Sequence, residues 1–239
     1  MTDAHYHRGG YATFLSVGDR EFSFRGVHPW EVVDASARRP YQGECAAELR
    51  AALEADAHVG VGEIGLDRLK SRVIDPAQRA VFAAQLEVAA EFRRPVVLHG
   101  AKCWGEVVAG CRPYAGRIPA FLFHGFSRSG GLLPEIVALN GFVGVGASLL
   151  NDRAVNYRAL VKEIPAERVL VETDADYGCD EELAATSAAS PALAANPVAG
   201  AVALVVTVMR KLAEIRGVDV AELEAAVEAN ALRFVEALA

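Results

Sequence analysis

VGVG (59–62), PAQRAVFAAQLEVAAEF (76–92) and PVVLH (95–99) follow one another in the first half of the chain. Val59–Gly62 and Pro95–His99 are short apolar runs with no polar alternation, which reads as strands buried on both faces. Pro76–Phe92 between them is Ala/Glu/Arg-rich and of helix length, and Pro76 after Asp75 is a helix start signal. Strand, helix, strand in this order makes a βαβ unit with parallel strands. Outward from it the pattern repeats. Pro119–His124, Phe142–Gly146 and Val169–Thr173 read as further buried strands. Glu44–Asp56, Trp104–Arg112, Gly130–Leu139 and Val155–Glu163 read as helices.

The repeat predicts an α/β fold of the TIM-type (β/α) barrel class, with one domain over residues 1–239, since no internal repeat or linker interrupts it. The N-terminal part breaks the rhythm. Tyr11–Val17 and Glu21–Val27 flank Gly18-Asp19 as a β-hairpin, and no crossover helix fits between His7 and His28. The barrel is therefore expected to be distorted, with one early β/α unit reduced to a hairpin. After Asp174, the Ser/Ala-rich stretch Ala184–Ala195 reads as a long loop over one mouth. Val198–Arg216 and Val220–Leu238 then read as helices, with Gly217 ending the first and Asp219 capping the second.

Composition narrows the function classes. The chain is 52% hydrophobic with a net charge of -7, so a large core is affordable and a broad duplex-DNA-coating face is disfavoured. A local pocket for a small anion remains compatible with that charge. Cys45, Cys103, Cys111 and Cys179 form no CxxC pair and read as reduced thiols. No apolar run approaches the roughly 18 residues of a membrane span. A cytoplasmic enzyme, with no membrane partner, is the expectation.

The chemistry lies at the strand ends. His5 and His7 form H-x-H, and period-two alternation points both imidazoles to one side. Glu63, His99, His124 and Asp174 each follow an apolar strand of their own. In a barrel those ends converge on one mouth. A lone His after a strand is more often structural, but four His and two acids gathered together are costly unless a cation compensates. Imidazoles with carboxylates favour Zn, Mn, Fe, Co or Ni, with Mg admissible. Six ligands exceed one tetrahedral site and suffice for two open ones that share a carboxylate. Such a site stays electropositive, activates water and attracts an anion. His58 falls at the start of its strand, towards the opposite mouth, and reads as structural.

H5-Y-H7, G26-V-H28-P, G62-E-I-G-L-D67, P95-V-V-L-H99, F123-H-G-F-S127 and E172-T-D174 occur in the order found in the TatD family of metal-dependent hydrolases, which the chain resembles from His5 to Tyr177, with a weaker echo at Asn230–Phe234. The resemblance implies one metal on His5, His7 and Asp174 and a second on His99 and His124. Glu63 would bridge them, and Asp174 would orient or deprotonate the attacking water. It makes His28 a further polar group facing the mouth, counted with Asp174 and Glu63 as catalytic. Glu172, two positions before Asp174, shares the inward face without being a ligand. The implied activity is hydrolysis of phosphodiesters, of deoxyribonuclease type, at nucleic-acid ends or on a small anionic substrate. The basic residues Arg8, Arg68, Lys70, Arg72, Lys102, Arg128 and Arg153 leave the catalytic strand ends, and Lys102, Arg68 and Arg128 are the candidates for substrate contact.

The chain departs from the family pattern in places. Ala101 stands where an Arg is usual, with Lys102 beside it; Arg68-Leu69 replace an aromatic pair; Ala175-Asp176 replace Ala-Pro. An amide, ester or lactone hydrolase using the same activated water is the alternative enzyme. A metal-stabilised binding protein is the non-enzymatic one.

Overall fold

The computed structural model describes residues 1–8, 13–33, 42–69, 73–127, 130–175 and 197–239. The strands are β1 (Thr2–His7), β2 (Thr13–Val17), β3 (Arg20–Arg25), β4 (Gly60–Asp67), β5 (Val96–Ala101), β6 (Phe121–Phe123), β7 (Gly141–Val145) and β8 (Val169–Val171). They form one sheet in sequential order. β1–β2 and β2–β3 pair antiparallel, and every later pair is parallel. β1 therefore runs the same way as β3 and all that follow, and only β2 is reversed. That one reversal lets His5 and His7 reach the same mouth as the ends of β4 to β8.

The sheet curls until β8 meets β1. Asp174 N–H donates to the His5 carbonyl at 3.0 Å, and His7 N–H donates to the Ala175 carbonyl at 2.8 Å. Between them, the buried Asp3 carboxylate accepts from the Thr173 amide at 3.0 Å and from the Thr173 hydroxyl at 2.7 Å. The seam is thus part backbone ladder and part side-chain bridge.

Helices α1 (Pro29–Val33), α2 (Gln42–Ala55), α3 (Pro76–Glu91), α4 (Trp104–Cys111), α5 (Leu133–Ala138), α6 (Val155–Glu163), α7 (Pro197–Arg216) and α8 (Val220–Val235) connect and cover the strands. The caps follow the sequence. Asp75 accepts from the Ala77 amide at 2.7 Å to start α3. Gly217 ends α7 at φ +67°, and Asp219 accepts from the amides of Ala221 and Glu222 to start α8. From α8, Phe234 packs 5.9 Å from both Phe24 and Phe142, on opposite arcs of the sheet. Buried Asn230 donates to the carbonyls of Ala166 and Val169, fastening α8 to the start of β8. His58 Nδ1 lies 2.7 Å from the Leu238 carbonyl, consistent with a structural role away from the site.

Several boundaries differ from the sequence-based expectation. β4 does not stop at Gly62 but continues to Asp67, because buried Ile64 and Leu66 pair with Leu98 and Gly100 of β5; Glu63 therefore sits within the strand. Gly130–Leu139 divides into a 3-10 turn, Gly130–Leu132, and α5. The five-residue α1 is too short to leave a periodic signal. It is held by a capping box in which Glu31 accepts from the His28 amide at 3.0 Å and His28 Nδ1 accepts from the Trp30 amide at 3.2 Å. The hairpin forms as expected from Thr13 onward, while Tyr11, Ala12 and the stretch Ala184–Ala195 lie outside the described residues. No helix among the described residues is long and apolar enough to cross a membrane.

Asp3→Ala would leave the Thr173 amide and hydroxyl without their acceptor inside the seam. It is expected to lower unfolding free energy by about 3 kcal/mol, read from urea denaturation. A loss below about 1 kcal/mol would show that the seam does not depend on this carboxylate.

Candidate metal centre

Glu63 is 3% exposed and lies where the strand ends converge. Its two oxygens face different partners. Oε2 is 3.5 Å from Nε2 of both His5 and His7. Oε1 is 2.7 Å from His99 Nδ1, 3.0 Å from His124 Nε2 and 3.8 Å from His28 Nε2. On the first side Asp174 Oδ1 adds a second carboxylate, 3.4 Å from His5 Nε2 and 3.6 Å from His7 Nε2. Asp174 follows β8 with φ +53°, in the left-handed region that Asp tolerates better than most side chains. All six proposed ligands and His28 are brought together.

Among the described residues, three overlapping groups have ligand atoms within 4.8 Å of one another: His5, His7 and Asp174; His5, Glu63 and His124; and His28, Glu63 and His99. The buried nitrogens His5 Nδ1, His5 Nε2 and His7 Nδ1 have no hydrogen-bond partner. Buried imidazole nitrogens left open beside carboxylates are the donor set a divalent transition ion takes. The residues fit the metal centre that the resemblance implies.

The electrostatics point the same way. Burial would raise the Glu63 carboxyl, but His124 and His99 hold it well below the usual carboxylate range. Partial desolvation opposes the Asp174 anion, yet the charge of His124 and the nearby rings of His5 and His7 keep its carboxyl low. Burial and the neighbouring His124 disfavour a charged His5, but Asp174 and Glu63 outweigh them and push it up to about 9. Burial likewise opposes charge on His124 and His99, and Glu63 is the leading influence that raises both. The carboxylates thus demand positive charge, and protons satisfy that demand when no cation does. His28 is the exception. Burial lowers it to about 3 despite Glu63, with His99 and His124 adding to the effect, so it stays neutral.

A second layer of carboxylates stands behind the rings. His99 Nε2 lies 2.9 Å from Asp67 Oδ2, and His124 Nδ1 lies 3.6 Å from Glu172 Oε1. Glu172 Oε1 also accepts from the Gly125 amide at 2.6 Å. At His99 the carboxylate–histidine hydrogen bond fixes which ring nitrogen faces inward. Room for it comes from glycine: a Cβ on Gly144 would lie 1.9 Å from Glu172 Oε2. Sequence reasoning gave Asp67 no role. The signal was its place four residues after Glu63, on the same face of a strand that runs longer than expected.

Above the centre is a cavity of about 390 Å³. His99, His124 and half-exposed Asp174 form part of its lining, together with Leu69, Lys102, Trp104, Ser127 and Ser148. Of the candidate substrate contacts, Lys102 lines this cavity. Arg68 instead hydrogen-bonds the Lys102 carbonyl and pairs with Glu106 at 3.4 Å. Arg8 is committed to Glu21. Arg128, Lys70 and Arg72 lie outside the described residues.

Known proteins resemble this chain in sequence and in fold. The profile of the TatD related DNase family matches residues 11–236. A 3'-5' ssDNA/RNA exonuclease TatD of Pectobacterium carotovorum is 32% identical over 213 residues, covering 89% of this chain and 76% of that protein. One from Edwardsiella piscicida is 36% identical over 153 residues, covering 64% of this chain and 56% of that protein, so the matched stretch is little more than half of that relative's length. Among solved structures, a TatD homologue from Escherichia coli is 24% identical with a TM-score of 0.66, covering 89% of this chain and 76% of that one. A TatD family hydrolase from Entamoeba histolytica is 17% identical with a TM-score of 0.65, covering 89% and 74%. These two structural likenesses bear on the fold alone. With the barrel, the strand-end cluster and the profile in agreement, the chain belongs to the TatD related DNase family.

Proposed function

We propose that this chain is a metal-dependent phosphodiesterase acting on nucleic-acid ends, with two divalent ions held on either side of Glu63. The observation that carries this reading is the division of Glu63 between two imidazole sets, Oε2 towards His5 and His7 and Oε1 towards His99 and His124. His5, His7 and Asp174 would hold one ion, His99 and His124 the other, and Glu63 would bridge. The donors favour Zn, Mn, Fe, Co or Ni, with Mg admitted. Divalent ions bound there supply Lewis-acid stabilisation of negative charge on the phosphoryl group and the attacking oxygen.

The protein's own groups do the rest. Asp174, half-exposed on the cavity wall, orients the attacking water and takes its proton. His28 has Nδ1 occupied by the Trp30 amide, so its neutral ring carries the proton on Nε2, which lies 3.2 Å from His99 Nδ1 and steadies that ring. Asp67 keeps His99 from turning through its hydrogen bond to Nε2. The nucleic-acid substrate is supported by the names of the relatives, which are exonucleases on ssDNA and RNA.

Purified protein loaded with Mn or Zn is expected to hydrolyse bis-p-nitrophenyl phosphate and single-stranded DNA. Turnover of amides, esters or lactones without either phosphodiester would overturn the reading in favour of an acyl hydrolase. No turnover of any class, with retained metal, would favour a binding protein.

Asp174→Asn is expected to lower phosphodiester turnover about 10²–10⁴-fold while calorimetry still detects Zn binding. Wild-type rates in this variant would remove Asp174 from the proton transfer.

Metal binding should displace protons. At pH 7 His5, raised to about 9, is charged in the metal-free protein and must lose its proton to become a ligand. Apparent Zn affinity is therefore expected to rise from pH 6 to pH 8, about tenfold per pH unit for each proton displaced. Calorimetry in buffers of different ionisation enthalpy should count the protons released; a pH-independent affinity would contradict this electrostatic picture.

A further inference from the structure

Among the described residues lining the cavity above the centre, Lys102 is the one Lys or Arg. Its backbone is unusual: φ is +58°, a conformation that non-glycine residues seldom adopt unless their surroundings hold them there. The holding group is identifiable. Arg68 Nε donates to the Lys102 carbonyl at 2.9 Å, and Arg68 Nη2 donates to the same oxygen. The guanidinium is tethered from the other side by Glu106, 3.4 Å from Nη1. The Arg68 amide also donates to the Ala101 carbonyl at 3.0 Å. Arg68 thus grips the turn between β5 and α4 through two successive carbonyls, and its charge is already answered by Glu106.

The rest of the cavity suits a nucleotide. Ser127 and Ser148 contribute to its lining, while Leu69, 54% exposed, and Trp104 supply apolar surface. Its volume is near the lower end of the range for small-ligand sites, about 300–1,000 Å³. With the centre loaded to offset Asp174 on the same wall, an anionic group seated there would find one lysine, two serine hydroxyls and an apolar wall.

We propose that Lys102 is the residue that takes the phosphate of a terminal nucleotide in this cavity, and that Arg68 is a positioning residue that holds the Lys102 turn in place. This deepens the phosphodiesterase reading and rests on it for the choice of ligand. It separates two basic residues that the sequence alone places in the same role.

The test is binding of thymidine 5'-monophosphate to the metal-loaded protein by calorimetry, with thymidine as the phosphate-free control and single-stranded DNA turnover measured in parallel. Lys102→Gly is the informative variant, because glycine accepts φ +58° without strain and so removes the charge while sparing the fold. It is expected to weaken thymidine monophosphate binding about 10- to 100-fold, to flatten the salt dependence, and to leave the melting temperature no lower than wild type. Lys102→Arg should recover most of the affinity. Arg68→Ala should also weaken binding but keep the wild-type salt dependence. Combined with Lys102→Gly it should add nothing, since Arg68 acts through Lys102.

Unchanged affinity in Lys102→Gly, an equal loss for thymidine, failure of the wild type to bind the monophosphate, or additive losses in the double variant would each overturn the assignment. If the variants follow expectation in binding but the wild type cleaves no phosphodiester, the phosphodiesterase reading fails and the phosphate site stands.

Discussion

A single buried carboxylate, Glu63, sets the terms for the rest of the molecule. A carboxylate this deep in a barrel is costly unless cations or donors surround it. Five imidazoles answer it: His5, His7, His28, His99 and His124 all have a ring nitrogen within 4 Å of one of its oxygens. None of the five is near Glu63 in the chain, so only the convergence of strand ends can assemble them. The barrel is the device that makes this charge affordable, and the proposed ions are its natural complement.

The arrangement is held by groups that never face the cavity centre. The β1–β8 seam aligns His5 and His7 with Asp174 through two backbone hydrogen bonds, and Asp3 bridges it to Thr173. Behind the second set of rings stand Asp67 and Glu172. Gly65 contributes in a different way. A Cβ there would meet the His99 carbonyl at 2.0 Å, so the bare backbone lets β4 lie close against β5 at the level of the site. Small residues and buried acids therefore help to define the centre alongside the proposed ligands.

The amino-acid sequence showed much of this and missed some of it for physical reasons. The strand-end pattern at His99, His124 and Asp174 was legible because each follows a short apolar run, and a buried parallel strand has no other common signature. The hairpin around Gly18-Asp19 was legible from turn chemistry and from the short distance between His7 and His28. The role of Asp67 was hidden, because the glycines of Gly62-Glu63-Ile64-Gly65 masked the continuation of β4. Asp3 was hidden because its partner Thr173 is far along the chain, and nothing local marks a seam. The different fates of Arg68 and Lys102 depend on a backbone turn and on Glu106, neither of which composition or periodicity reports.

The central claim is that Glu63 joins two cation sites of separate imidazole sets. Zn-soaked crystals examined by anomalous scattering test it most directly. Two Zn peaks per chain are expected, one on the His5/His7/Asp174 side of Glu63 and one on the His99/His124 side. A single peak, or two peaks on the same side of the carboxylate, would contradict it.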